Sequence, residues 1–157
     1  MIAFDTDLLV NGYKVFEDKK ILFTLGKIPD IKEWEGDQVK SPKGFDLRLA
    51  QNYINNKYVA PVFGGAVFGY SNIWSGTDSN SKEWHNDLIE GFNLFFMYYL
   101  SDITEGGELC FRVNGKETGS IQPKKDMLVM GSQERYVEHK VNDCNQERIV
   151  CNFGYNI

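Results

Sequence analysis

Histidine is scarce in this sequence. There are two in 157 residues, His85 and His139, so any chemistry that needs imidazole must use one or both. Cysteine is scarce too. Cys110, Cys144 and Cys151 make an odd number, and no C-x-x-C occurs. That argues against a disulfide framework or a zinc knuckle and favours a reducing, cytoplasmic location. No apolar run approaches the roughly 18–20 residues that a membrane span needs. The opening MIAFDTDLLVNGYK carries acids and no basic n-region, so it does not read as a secretory signal. Basic side chains are outnumbered, 17 against 22 acidic, for a net charge of -5. A general nucleic-acid binder would need a basic surplus for phosphates.

What is present is a β-rich pattern behind a mixed N-terminal part. The length favours one domain, 1–157, with 1–60 as a supporting layer and 61–157 as the core. Residues 7–25 read as two short strands around a polar turn at EDKK. Glycines and prolines between 26 and 44 mark a loop or short irregular helix. FDLRLAQNYINNKYV, 45–59, spaces its apolar residues at helical intervals and predicts one helix, ended by Asn55-Asn56. VFGGAVFGYSNIW (62–74) reads as a strand or strand pair and SGTDSNSK (75–82) as a turn-rich loop. FNLFFMYYL (92–100) reads as a strand buried on both faces. GELCFRV, GSIQP, DMLVM, RYVEHKV and RIVCNFGY follow, each bounded by Gly, Pro, Asn or Asp. Many short strands at this spacing suggest a sandwich or barrel.

Within this pattern stands KEWHND, residues 82–87. On a strand, residues i and i+2 share a face. His85 and Asp87 would therefore offer an imidazole nitrogen and a carboxylate oxygen to one point. That is two thirds of a 2-His-1-carboxylate set, which suits non-haem Fe(II) with open positions. The third member can only be His139, on RYVEHKV. Against this stands a plain alternative, a solvated loop histidine beside Trp84 and a surface histidine on a strand. On these features alone the two readings are evenly matched.

Arg148 adds a further group. If NDCNQ (142–146) is a hairpin turn, positions 139 and 148 fall nearly opposite each other on adjacent strands. An arginine facing an apolar interior is costly unless it meets an anion, and guanidinium grips a carboxylate bidentately. The competing reading is an exposed Arg148 at a strand start, beside Glu147.

Taken together, WHND (84–87), FFMYYLSD (95–102), EGGELCF (105–111), IQPKKDMLVM (121–130), EHKV (138–141) and Arg148 resemble the Fe(II)/2-oxoglutarate-dependent oxygenases, in their prolyl 4-hydroxylase-like branch. The resemblance covers roughly residues 70–155 and leaves 1–60 unmatched. It implies a mostly β fold, a double-stranded β-helix or jelly roll with supporting N-terminal helices. It implies iron at His85, Asp87 and His139, and the distal carboxylate of 2-oxoglutarate at Arg148 with Tyr99. Strand parity then turns Phe95 and Met97 inward with Tyr99, and Phe96 and Tyr98 outward. Collagen-type relatives often carry lysine at the Arg148 position, whereas the oxygen-sensing animal enzymes carry arginine. Tyr70 and Trp74 compete for a further place facing the cosubstrate.

The implied activity is an oxidoreductase, a dioxygenase with Fe(II), 2-oxoglutarate and O2. It would hydroxylate a C–H bond, with succinate and CO2 released. The branch implies a prolyl residue in a protein or peptide as substrate, while the charge balance and the lack of a long apolar run argue against a nucleic-acid or membrane partner. Two rivals remain: a hydroxylase of free amino acids or other small molecules, and a metal-binding jelly roll without turnover. A halogenase would need a small residue in place of Asp87. Arg112 and Trp74 are candidates to line a peptide groove, with the polar loop 75–83 closing over it. Gly106-Gly107 and Pro123–Asp126 read as strand-entry and turn residues, and Cys110 and Cys151 as small buried residues.

Overall fold

The computed structural model describes residues 5–77, 82–87 and 92–157. The chain begins with α1 (Thr6–Asn11), β1 (Tyr13–Glu17) and α2 (Lys20–Thr24), then a 3-10 turn at Ile31–Glu33. Next come α3 (Arg48–Ile54), a π-helical turn Asn55–Val59 and α4 (Ala60–Phe63). The strands are β2 (Val67–Gly76), β3 (Leu94–Tyr99), β4 (Leu109–Val113), β5 (Lys116–Ile121), β6 (Met127–Ser132), β7 (Val137–Val141) and β8 (Arg148–Asn156).

These strands make two antiparallel sheets. The major sheet runs β1-β6-β3-β8-β2 and the minor sheet β5-β4-β7. Two apolar layers result. One lies between the sheets and includes Phe95, Tyr99, Phe111, Val129, Val137 and Val150. The other lies between the major sheet and the helices and includes Phe96, Tyr98, Phe153, Tyr155, Leu8 and Ile54. Each fully buried large apolar side chain contributes about 1.5–3 kcal/mol. The parity expected of β3 holds: Phe95, Met97 and Tyr99 face the inter-sheet space, Phe96 and Tyr98 the helices. The architecture is the jelly roll with supporting helices that the resemblance implies.

Inside the barrel, three glycines face aromatic rings. Gly131 lies under Phe95, Gly119 under Tyr13 and Gly154 under Tyr70. A Cβ at any of the three would run into the ring, so the strands there carry no side chain.

Five expectations need correction. Residues 7–25 hold one strand, not two, because α1 and α2 flank β1. The Asp5 carboxylate accepts the N–H groups of Asp7 (3.1 Å) and Leu8 (3.2 Å), and Gly12, at φ 83°, ends the turn. That cap and a left-handed glycine are helix signals. Asn55-Asn56 do not end a helix: the chain passes through the π-turn into α4 and stops at Gly64, φ 79°. VFGG therefore starts in a helix, and only Val67 onward is strand. Finally, β7 and β8 are not a hairpin. They belong to different sheets, β7 beside β4 and β8 beside β3 and β2, so His139 and Arg148 are not cross-strand partners. The short turn crosses from one sheet to the other. Of the expected 75–82 loop, Ser75 and Gly76 are buried strand residues, and 78–81 lie outside the described residues.

Candidate metal centre

Residues 84–86 lie along β7 as a minimal extra strand. His85 N–H donates to the His139 carbonyl (3.1 Å) and His139 N–H to the His85 carbonyl (3.0 Å). Directly opposed residues project to the same side, so both imidazoles enter the barrel, their ring centroids 4.4 Å apart. Asp87, two residues on, points to the same place. Its Oδ2 lies 3.3 Å from His139 Nε2 and its Oδ1 3.7 Å from His85 Nε2. The three ligand atoms all fall within 4.8 Å of one another.

The electrostatics favour a carboxylate there. The hydrogen bond from His139 foremost, then the charges of both histidines, hold the Asp87 carboxyl below the ordinary aspartate value against the opposing effect of partial burial. His85 Nδ1 faces the Glu83 carbonyl at 2.7 Å. A carbonyl only accepts, so Nδ1 donates to it and Nε2 is the nitrogen that faces Asp87. Two imidazole nitrogens and one carboxylate are a donor set that fits iron with open positions.

Deeper in the barrel sits Arg148, 1 % exposed, at the first position of β8. Its guanidinium lies 5.2 Å from the centroid of the Trp74 ring. Tyr99 is fully buried; burial pushes its phenol up, and the charge of Arg148 acts in the opposite sense. The reading of Arg148 as an exposed strand-start residue is therefore excluded. Gly107, at φ 68°, lies beside it; a Cβ there would press on Cys144, 3.1 Å from its Sγ, and touch Arg148 Cδ at 3.4 Å. Tyr70 and Trp74 share the inward face of β2. Burial raises the Tyr70 phenol, and the Asp87 charge raises it further; Trp74 is the ring beside Arg148. They do not compete for one place. Arg112, by contrast, lies on the outer face of the minor sheet, paired with Glu138 at 2.6 Å and over the Trp84 ring at 4.8 Å.

Two residues escaped the sequence reading. Asn86 donates through Nδ2 to the carbonyls of Glu134 (2.7 Å) and Val137 (2.5 Å). Gln133, 3 % exposed, donates to the carbonyls of Asp87 and Phe92, 3.1 Å each, with its amide turned to satisfy both. The middle residue of H-x-D and a glutamine after a strand carry no sequence signal of their own.

The profile of the 2OG-Fe(II) oxygenase superfamily matches residues 73–155, more than half of the chain. The chain belongs to this family. Membership brings Fe(II), 2-oxoglutarate and O2 as the family's general requirements and makes the protein an oxidoreductase. Among solved structures, a Pseudomonas putida prolyl-4-hydroxylase is similar in fold, with a TM-score of 0.67 and 18% identity over 99% of this chain and 98% of that one. A Trichoplax adhaerens prolyl hydroxylase in complex with a hypoxia inducible factor peptide gives 0.65 and 14% over 96% and 86%. The viral collagen prolyl hydroxylase of Paramecium Bursaria Chlorella virus-1 gives 0.63 and 13% over 94% and 98%. No curated protein matches the sequence of this oxygenase. Among its described residues no helix is long and apolar enough to cross a membrane.

Proposed function

We propose that this oxygenase hydroxylates a prolyl residue in a protein or peptide, at C4, converting 2-oxoglutarate and O2 to succinate and CO2 as R–H becomes R–OH. His85, Asp87 and His139 would hold Fe(II), and Arg148 with Tyr99 would take the distal carboxylate of 2-oxoglutarate. The observation that carries this reading is the joint presence, on inward faces of one barrel, of the His85–Asp87–His139 cluster and a buried arginine. Fe(II) with its cosubstrates supplies the oxidising power for C–H cleavage. The chain's own part is positional. Asp87 offers a charged oxygen, His85 is turned by the Glu83 carbonyl, and Arg148 with Trp74 offers a dry, cationic seat for an anion. Phe95 and Phe111 flank His139 and keep water from that side.

Residues 1–157 are read as one oxygenase domain, with 1–60 supporting 61–157. The pairing of β1 with β6 favours that unit. The prolyl substrate is supported by the branch motifs and by the prolyl hydroxylases among the similar folds. A reducing compartment fits the three free thiols.

The decisive experiment starts with anaerobic Fe(II) and 2-oxoglutarate binding, then follows succinate release under O2 with proline-containing peptides and mass spectrometry. A gain of one oxygen on proline, absent in Asp87→Ala, is the expected result. Efficient turnover of a free amino acid with no peptide modified would sink the prolyl reading and favour the small-molecule alternative. Metal binding with no 2-oxoglutarate turnover under any condition would favour the non-catalytic one.

A further inference from the structure

We propose that Asn86 and Gln133 are positioning residues that fix the His85–Asp87 arm in register with His139. The inference rests on the metal-site reading above. The arm needs such help. Residues 84–86 are joined to β7 by one pair of backbone hydrogen bonds, those between His85 and His139. A slip of one residue along a strand turns every side chain to the other face, and two hydrogen bonds resist it weakly. Such a slip would carry both His85 and Asp87 out of the barrel.

The resistance comes from side chains that link the arm to the turn that joins β6 to β7. Asn86 projects away from the barrel, opposite His85, and its Nδ2 donates to Glu134 and Val137 carbonyls at the two ends of that turn. Both facing atoms accept, so only the amide nitrogen fits. In return Gln133 donates from the turn to the Asp87 and Phe92 carbonyls, while its own N–H donates to the Asn93 carbonyl (3.0 Å). The two amides form a reciprocal stitch: one reaches from the arm to the turn, the other from the turn to the arm. β7 leaves the same turn and carries His139 two residues into the strand. All three metal-site residues are thus referred to one short stretch of backbone. Trp84 adds a third hold on the outer face, its ring between Arg112 (4.8 Å) and Lys140 (4.9 Å).

The test uses Mn(II) as the probe, with the wild-type protein and the variants Asn86→Ser, Gln133→Met and His139→Ala. Each stitch variant should weaken Mn(II) binding by about ten- to hundredfold, the usual cost of losing a group that orients a ligand. The zero-field splitting of the bound Mn(II) should change as well, which a general loss of stability would not cause. The double variant should lose less than the product of the two, because both act on one element. Folded variants with wild-type affinity and an unaltered Mn(II) spectrum would overturn the proposal. If either variant fails to fold, the wild type still decides. In the stitched protein the Asn86 side-chain amide protons exchange slowly with solvent, and exchange as fast as that of a surface asparagine overturns the assignment. His139→Ala separates the two levels. Mn(II) binding indifferent to His139 removes the metal site and this inference with it. Binding that needs His139 but not Asn86 or Gln133 removes the inference alone.

Discussion

The two polar ends of the barrel interior are built differently. At the rim, the Asp87 side chain is 49 % exposed and stands on an arm with a single bridge to β7. Inside, Arg148 and Tyr99 are closed off from water on strands of the major sheet. The difference is a division of labour that follows from physical chemistry. Ligands that must come and go need an open, adjustable rim. An anion held by one cation gains most where water is excluded and the partner cannot move. The rim is tuned by loop amides, whereas the interior is fixed by sheet pairing, with Tyr99 opposite Val150 and Gly76 opposite Arg148.

Breaking the rim should have the largest effect. His139→Ala, His85→Ala or Asp87→Ala should each abolish productive metal binding and 2-oxoglutarate turnover, read as metal stoichiometry and succinate release. Full turnover in any of them would remove that residue from the centre. At the buried end, Arg148→Ala should weaken 2-oxoglutarate by well over tenfold, roughly 2–5 kcal/mol for loss of a buried charged partner. Arg148→Lys should retain part of it. Calorimetric titration of the Mn(II)-loaded protein measures both, and an unchanged affinity in Arg148→Ala would end the assignment. Tyr99→Phe should cost less, about 1.5–3 kcal/mol for one hydrogen bond to a charged group, with Mn(II) affinity unchanged.

A last substitution lies outside both ends. The Asp18 carboxylate is buried under the helical layer and accepts from Tyr53 (3.0 Å), Tyr58 (2.5 Å), Lys57 (2.7 Å) and the Lys20 N–H (3.0 Å). Burial alone would raise its pKa. The hydrogen bonds from Lys57, Tyr58, Lys20 and Tyr53 outweigh burial and leave it below the ordinary 3.8. A carboxyl lowered by folding stabilises the protein above its unfolded value, and that contribution fades as pH falls through the lowered one. Asp18→Asn should therefore cost about 1–3 kcal/mol in urea unfolding at neutral pH. The deficit should shrink on acidification below the ordinary carboxyl value, and 2-oxoglutarate affinity should not change. A deficit that persists undiminished at low pH would mean that packing, not charge, holds this corner.

The β core was legible because its strands are short apolar runs bounded by turn residues. β7 alternates cleanly, β3 is apolar throughout, and the inward face of β3 is the one that the resemblance implies, with Phe95, Met97 and Tyr99. The H-x-D spacing and the one other histidine named the residues that now cluster within 4.8 Å, but on their own left the metal reading level with that of a solvated histidine pair; the family resemblance tipped it. The N-terminal part was less legible for a physical reason. Helices of five and six residues are too short to show a 3.6 period. The signal of the first is in its caps, Asp5 and Gly12; the second has no side-chain cap at Lys19. The π-turn through Asn55–Val59 defeated another local rule, since tertiary packing of Ile54 and Val59 outweighs the turn preference of paired asparagines. The 142–147 turn shows the limit most clearly. A short polar turn between strands serves a hairpin and a crossing between sheets equally well, and only the whole topology separates them. Arg148 faces the interior because β8 crosses to the major sheet, not because it sits across from His139.

The glycines beneath Phe95, Tyr13 and Tyr70 restrict how this sequence can drift. At each site the ring occupies the volume that a Cβ would need, so glycine-to-alanine must force the ring aside and ring-to-small must open a void. Both single steps are uphill, by about 1–3 kcal/mol for overpacking and about 3–5 kcal/mol for losing a phenylalanine. The viable substitutions are therefore paired ones, in which Gly131 enlarges as Phe95 contracts. Tyr70 and Gly154 should be the most constrained of the three pairs, because that ring also packs edge-on against Phe92. In a large set of functional variants these positions would change as couples or not at all, which makes them markers of the barrel's interior width.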